Sequence, residues 1–326
     1  MGGDLAPAEA VLGAAQAARE LDVEVVMVGP PDRVQPLLDD HPQLRFVPAS
    51  QVIEMTDHPA QAVRAKTDSS MSVCARLCKE GQADGWVSAG NSGAVMAAAL
   101  FIQGRIRGVE RPALGTILPG AGEPAYFLDV GANVDSRAEF LVQFAQMGAI
   151  YARDVLGRGN PRVGLLSNGE EEGKGDERVK ETYSRLKRHA AGAGTVNSTF
   201  HFVGNVEPKD VLAGKADVVV ADGFVGNVAI KMAEATADLI FRAMRDEVPR
   251  GVNGRLGGLL IRPGVRRIRG RMDWREFGGA PLLGIDGVAV VAHGRSDARA
   301  FRNAVRIAKE AVQAQVVGKI REAVGR

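Results

Sequence analysis

Ala216-Asp-Val-Val-Val-Ala-Asp-Gly-Phe-Val-Gly-Asn-Val-Ala-Ile-Lys231 decides how this chain is read. Asp217 to Ala221 is a short, valine-dominated run without polar alternation, the pattern of a strand buried on both faces. It stops at Asp222-Gly223. Ile230, Ala233, Ala237 and Ile240 then recur at helical spacing, so a helix follows, with Asn227 where it opens. Gly223 and Gly226 are expected to supply the backbone freedom of a tight strand-to-helix turn. Such a turn aims backbone N–H groups and the positive end of a helix dipole at whatever lies above the strand, most naturally an anion.

The same grammar recurs outward from this stretch. Trp86-Val-Ser-Ala-Gly-Asn-Ser-Gly-Ala94 and Tyr126-Phe-Leu-Asp-Val-Gly-Ala-Asn-Val-Asp135 each run from a strand end into a glycine loop. Val163-Gly-Leu-Leu-Ser-Asn-Gly-Glu-Glu-Glu-Gly-Lys-Gly175 does so with a lysine in the loop. In an open parallel sheet, loops beyond the carboxyl ends of neighbouring strands face one crevice, so these loops are expected to converge on one site. Toward the N-terminus, a helix over 8–20, a strand over 23–28, a short helix over 31–39 and a strand over 44–47 continue the α/β alternation. A last helix is expected over 298–317. Residues 1–326 therefore read as one α/β domain, within the range of a large single sheet.

Charge and cysteine usage exclude several classes. A formal net charge of +2 argues against a dedicated nucleic-acid binder. Two cysteines, Cys74 and Cys78, cannot staple a chain of this length; they read as small packing residues in a reducing compartment. No apolar run reaches the roughly 18 residues of a spanning helix, and no signal peptide precedes the first helix, so a cytoplasmic protein is expected. There is no Gly-x-Gly-x-x-Gly with its distal acid, no Walker lysine and no Gly-x-Ser-x-Gly, since Gly90-Asn-Ser-Gly93 is one residue short. His and Cys spacings build no zinc site. Neither a metal nor a cofactor is expected.

The alternation breaks over 246–276. Leu256, Leu259, Leu260, Ile261, Val265 and Ile268 interleave with Arg255, Arg262, Arg266, Arg267, Arg269 and Arg271, at spacings that suggest two short amphipathic helices around Pro263-Gly264. Such an excursion suits an anionic membrane surface, and equally a dimer interface with a solvated basic rim. A second basic stretch, Gly104-Arg-Ile-Arg-Gly-Val-Glu-Arg-Pro112, reads as a solvated connector or a landing place for an acidic partner.

The remaining chemistry is a polar, backbone-rich anion crevice without an obvious nucleophile. That suits a reaction whose anionic substrate is itself the nucleophile, such as inorganic phosphate attacking a thioester. Phosphate is ionised at neutral pH, and a thiolate with a pKa of about 8.5 leaves readily. Positioning and charge stabilisation then carry the rate. Lys174 could neutralise the phosphate or the developing oxyanion, or it could simply pair with the neighbouring glutamates; the Asn227 amide could donate to the carbonyl oxygen. Ser69 and Ser70 read either as helix-capping residues or as hydroxyls for a bound anion complemented by Lys66. His293, at a strand end, reads as a structural hydrogen-bonder or as a member of the crevice.

Met1-Gly-Gly-Asp4, Asp68-Ser-Ser-Met71, Ser88-Ala-Gly-Asn-Ser-Gly-Ala94, Asp129-Val-Gly-Ala-Asn-Val-Asp135, Gly169-Glu-Glu-Glu-Gly-Lys-Gly175, Asp222-Gly-Phe-Val-Gly-Asn227, Gly278-Gly-Ala-Pro-Leu-Leu-Gly284 and His293-Gly-Arg-Ser-Asp297 run in order over almost the whole chain. Together they resemble the phosphate acyltransferases of bacterial phospholipid synthesis, the PlsX family. The resemblance implies conversion of acyl-[acyl carrier protein] and inorganic phosphate to acyl phosphate and free carrier protein. It implies a Rossmann-like three-layer α/β/α fold similar to the isocitrate and isopropylmalate dehydrogenases, with a protruding amphipathic helix pair. It also implies a homodimer, peripheral attachment to the inner face of the membrane, and hand-off of product to a membrane glycerol-3-phosphate acyltransferase.

On this resemblance Lys174 and Asn227 fall on the family's catalytic lysine and asparagine. Asp4, Lys66, Ser69, Ser70, Ser88, Asn91, Ser92, Asn133, Asn168, Gly169, Asp222, Gly226 and His293 are the substrate- and phosphate-binding candidates, and the leucine and isoleucine stripe of 246–276 is the membrane contact. The carrier protein is expected on Arg105, Arg107 and Arg111 or on the arginines of the helix pair. The family has a short apolar strand ending in Asp-Ala before Met-Gly-Gly-Asp, so a sheet strand is expected to be missing ahead of Met1. A phosphotransacetylase or isopropylmalate dehydrogenase relative, or a membrane scaffold without catalysis, would share part of the pattern.

Overall fold

Val218, Val219 and Val220 are fully buried in the third strand from one edge of an eight-stranded sheet, and their side chains divide between its two faces. Val218 and Val220 join a cluster with Phe144, Leu141 and Ile150, while Val219 joins Phe127, Val211 and Ile230 on the other side. Period-two alternation with both faces covered is why the run carries no polar residue. Each buried valine contributes at most about 1.5–3 kcal/mol relative to exposure.

The computed structural model describes residues 1–191 and 200–324. In order they form α1 (Ala8–Glu20), β1 (Val26–Gly29), α2 (Pro31–Val34), β2 (Arg45–Pro48), α3 (Pro59–Ala65), α4 (Ser70–Lys79), β3 (Gly85–Ser88), α5 (Ser92–Ala98), β4 (Ala113–Leu118), β5 (Ala125–Leu128), α6 (Ala138–Asp154) and β6 (Arg162–Leu166). There follow α7 (Glu177–Ala191), β7 (His201–Val206), α8 (Pro208–Leu212), β8 (Val218–Val220), α9 (Gly223–Glu247), α10 (Gly251–Arg271), α11 (Trp274–Phe277), β9 (Ala280–Leu283), β10 (Val288–Val291), α12 (Ala298–Gln313) and α13 (Val316–Val324).

The sheet order is β3-β10-β9-β4-β5-β8-β6-β7, and β1 and β2 pair separately as a parallel two-stranded sheet. Helices α6, α12 and α13 pack on one face of the large sheet, with α3, α4, α5, α8 and the start of α9 on the other, so the three-layer α/β/α architecture holds. One expectation is corrected. The sheet is mixed: β10/β9, β9/β4 and β4/β5 are antiparallel, while β3/β10 and β5/β8/β6/β7 are parallel. The parallel strands thus form two groups running in opposite directions. Their carboxyl-end loops do not share one edge by topology alone.

Two helix expectations are also corrected. Residues 251–271 form one helix that passes through Pro263 instead of two flanking it. Pro263 cannot donate to the Leu259 carbonyl, a defect costing about 3 kcal/mol in a packed helix interior. Here no residue of α10 is buried, so water can reach that carbonyl. The last helix breaks at Ala314-Gln315, with Gln315 at φ 53, and the break turns Val316 and Ile320 of α13 into the core.

Candidate active site

Asp222 caps α9, accepting from the Phe224 and Val225 N–H groups at 3.0 and 3.1 Å. The helix therefore opens at Gly223, and Asn227 sits one turn inside it. Neither Gly223 nor Gly226 is at positive φ, which corrects the expectation of backbone freedom. Their requirement is space: a Cβ on Gly226 would lie 1.9 Å from the Asp129 carbonyl oxygen, and one on Gly223 would lie 2.7 Å from the Asn133 carbonyl oxygen. Missing side chains let the α9 terminus press onto the loop that follows β5. Gly131 of that loop is at φ 140, and its Cα faces the Asn227 amide, which would lie 3.6 Å from an added Cβ.

The loop itself is built around Asp129, which is fully buried. Its Oδ1 accepts from the N–H groups of Leu114, Gly131 and Ala132 at 3.0, 3.2 and 3.0 Å. Its Oδ2 accepts from Asn133 N and Nδ2 at 2.7 and 2.9 Å. Burial holds this carboxyl above the ordinary carboxylate range, against the opposing pull of the donors. The Asn133 amide also donates to the Pro112 carbonyl at 2.8 Å, so both its hydrogens hold the loop.

β6 lies beside β8, so the lysine loop emerges next to the start of α9. Asn168 closes it by accepting from Gly175 N at 3.0 Å. The aliphatic stem of Lys174 folds over Gly169, where a Cβ would lie 2.8 Å from its Cγ. Two of the three neighbouring glutamates turn to other lysines. Glu170 pairs with Lys215 and Glu172 with Lys187, each at 2.7 Å, and Lys174 makes no ion pair among the described residues. Arg178, in the first turn of α7, spans the gap to the next strand and pairs with Asp222 at 2.9 Å. Lys174 and Asn227 thus stand on adjacent strand ends at the same edge of the sheet.

A second cluster forms at the carboxyl ends of β3 and β10. Asp4 N donates to the Gly294 carbonyl at 2.7 Å, and Gly2 packs so tightly on Gly90 that a Cβ would lie 2.6 Å from its Cα. Ser88 Oγ accepts from Gly90 N at 3.2 Å, Asn91 caps α5, and Ser92 opens that helix, exposed. Behind it, Asn91 donates to the Asp57 carbonyl, while Lys66 is tied to the Asp57 carboxylate at 2.5 Å and the Val52 carbonyl at 2.9 Å. Ser69 is fully buried as the cap of α4, and Ser70, also buried, begins that helix. Lys66, Ser69 and Ser70 hence support the second cluster from behind.

Helix α9 connects the clusters. Asn227, Lys231 and Glu234 fall at i, i+4 and i+7 on one face, about 10 Å of helix in all. The half-buried His293 feels Lys231 and Glu234 of that face as well as Asp4 and Arg295. Burial, with Arg295 and Lys231, holds its imidazole below the ordinary value against the opposing pull of Glu234 and Asp4. Its Nδ1 accepts from Arg295 N at 3.1 Å, which requires the neutral ring. Between the lowered value and about 6.5, the unfolded chain binds a proton that the native state does not, so stability falls as pH drops through this window. Urea midpoints at pH 7.5 and 5.5 are expected to differ less in His293→Gln than in the unaltered protein; equal differences would remove His293 from this account.

A family model described as fatty acid synthesis protein matches residues 1–319. The phosphate acyltransferase of Dictyoglomus turgidum is 46% identical, over 99% of this chain and 95% of the relative. That of a Cyanothece species is 48% identical, over 98% and 92%. This chain belongs to the phosphate acyltransferase family.

Among solved structures, a phosphotransacetylase from Streptococcus pyogenes matches this member of the phosphate acyltransferase family with a TM-score of 0.65 at 17% identity, over 95% of this chain and 92% of that one. A protein described as a putative 4-hydroxythreonine-4-phosphate dehydrogenase from Salmonella typhimurium gives 0.53 at 14% identity, over 92% and 94%. Likeness at such identity is likeness of fold, and it agrees with the expected dehydrogenase-like architecture. Two residues of this phosphate acyltransferase family member were not among the candidates read from sequence. Asp129 sits in a quoted motif, and only its burial under five donors reveals it as the keystone. Arg178 lies four residues beyond Lys174, but its partner Asp222 is distant in sequence.

Proposed function

We propose that this chain transfers the acyl group of acyl-[acyl carrier protein] to inorganic phosphate, and that phosphate attacks the thioester directly. A phosphate oxygen bonds to the carbonyl carbon, the oxyanion collapses, and the carbon–sulfur bond breaks. The departing thiolate of the carrier protein takes the proton that hydrogen phosphate gives up and becomes the free thiol, leaving acyl phosphate. Lys174 neutralises the phosphate and the developing oxyanion, and the Asn227 amide donates to the former carbonyl oxygen. Asp222, Gly226, Asn168 and Gly169 shape the floor; Asp129 and Asn133 hold the wall on which Asn227 rests. The observation that carries this reading is the exposed Lys174, which makes no ion pair among the described residues although three glutamates precede it, on the loop beside the start of α9. Long-chain acyl carrier protein with phosphate is expected to give one acyl phosphate, trapped as a hydroxamate, per carrier thiol released. Free fatty acid in its place would refute the reaction.

The α9–α10 excursion supports a role at a surface. Val252, Leu256 and Leu260 are 82%, 62% and 76% exposed on a helix studded with arginines, and no described helix is long and apolar enough to cross a membrane. We assign this face to a second copy of the chain and to anionic lipid, from which acyl phosphate passes to a membrane glycerol-3-phosphate acyltransferase. Replacing Leu256, Leu259 and Leu260 by serine is expected to abolish co-sedimentation with phosphatidylglycerol vesicles at low salt while soluble turnover persists. Undiminished sedimentation would show that the stripe does not contact lipid.

A further inference from the structure

A cleft of about 260 Å³ lies between the connector that precedes β4 and the start of α6, lined by Arg105, Arg111 and Arg137 with Glu110, Pro112 and Phe140. Phe140 is buried, and the guanidinium carbons of Arg111 and Arg137 lie 5.9 and 4.5 Å from its ring centroid. Lying over a buried ring restrains both forks before a ligand arrives, Arg137 more closely than Arg111, which lowers the entropic cost of binding. Arg105 is held differently: its guanidinium donates to the Glu110 carbonyl, and its backbone bridges Ile285 just beyond β9. Among the described residues none of these arginines makes an ion pair, and Glu110 pairs with none of them. Three arginines and one glutamate line a concave, solvent-open space. That arrangement suits an anion with several oxygens, and planar guanidinium forks match phosphate.

The position narrows the ligand. Pro112, in the cleft wall, has its carbonyl held by Asn133, the residue that also holds Asp129 beside the start of α9. The cleft is therefore linked through Asn133 to the proposed acyl-transfer site, and no residue of the Lys174 loop lines it. We infer that it receives the phosphodiester at the base of the carrier protein's thioester arm, with the arm passing Pro112 and Asn133 toward Asn227. The inference rests on the proposed acyl transfer, but binding tests it independently of turnover.

Calorimetry with pantetheine 4′-phosphate and with pantetheine measures what the phosphate adds. The unaltered protein is expected to bind the phosphorylated arm about tenfold or more tightly than the other, as for hydrogen bonds to a charged group. In the Arg111→Ala/Arg137→Ala variant, whose altered side chains are both exposed and whose fold is checked by circular dichroism, that preference is expected to vanish. KM for acyl carrier protein should rise by a similar factor while KM for inorganic phosphate stays fixed. No preference in the unaltered protein, or a preference surviving in the variant, overturns the inference. So does a matching rise in KM for inorganic phosphate, which would give the cleft to the free anion. A protein that shows the preference yet makes no acyl phosphate would refute the reaction and leave the cleft assigned.

Discussion

Lys174→Ala is expected to lower acyl phosphate formation by about 100- to 1,000-fold with no change in thermal midpoint, and Asn227→Ala to do the same. The size follows from the loss of one pre-positioned donor to a developing oxyanion. The unchanged stability follows from the surroundings. Lys174 is exposed and makes no ion pair among the described residues, so its removal orphans no buried charge there. Asn227 is half-buried over Gly131 in the first turns of α9, and alanine is the better helix former. If the two residues act on the same transition state, the double variant should be little worse than either single one. Full turnover in either single variant would remove that residue from the chemistry.

The largest effect on folding is expected from Asp129→Asn, at about 3 kcal/mol or more. Both oxygens of Asp129 face only donors: three N–H groups on Oδ1, and the Asn133 N–H and amide on Oδ2. An asparagine amide must turn its NH₂ toward one of those sets, whichever way it is flipped. The result is donor against donor in a fully buried site, together with loss of charge-assisted bonds. Urea denaturation measures the loss. Since the same loop supports Gly223, Gly226 and Asn227, turnover of the remaining folded protein should fall as well. A midpoint shift worth less than about 1 kcal/mol would show that the loop does not depend on this carboxylate.

What the sequence made legible depended on locality. The valine run of β8 was readable because burial on both faces leaves a local signature, and Asp222 was placed correctly as the end of the strand. Gly223 and Gly226 were noticed for the wrong reason: their need is the approach of Asp129 and Asn133, residues about ninety positions away. Pro263-Gly264 signalled a break that solvent around α10 makes unnecessary. The direction of the strands was hidden because β9 and β4, far apart in sequence, insert between the two parallel groups. The candidate site divides likewise. Lys174, Asn227, Asp222 and Asn168 come together on adjacent strand ends, as their motifs suggested. Lys66 does not join them, since Asp57 takes its charge, and Ser69 is consumed as a cap. No local pattern showed that Glu170 and Glu172 turn to Lys215 and Lys187 and leave Lys174 open.

The central claim is that phosphate itself is the nucleophile, held between loops that contribute no covalent partner. Incubating the unaltered protein with excess acyl carrier protein, first without and then with phosphate, and recording intact masses, tests it most directly. The protein is expected to stay unmodified and the carrier unreleased until phosphate is added, after which acyl phosphate equals the carrier set free. An acyl group on the protein, or carrier released before phosphate is present, would contradict it.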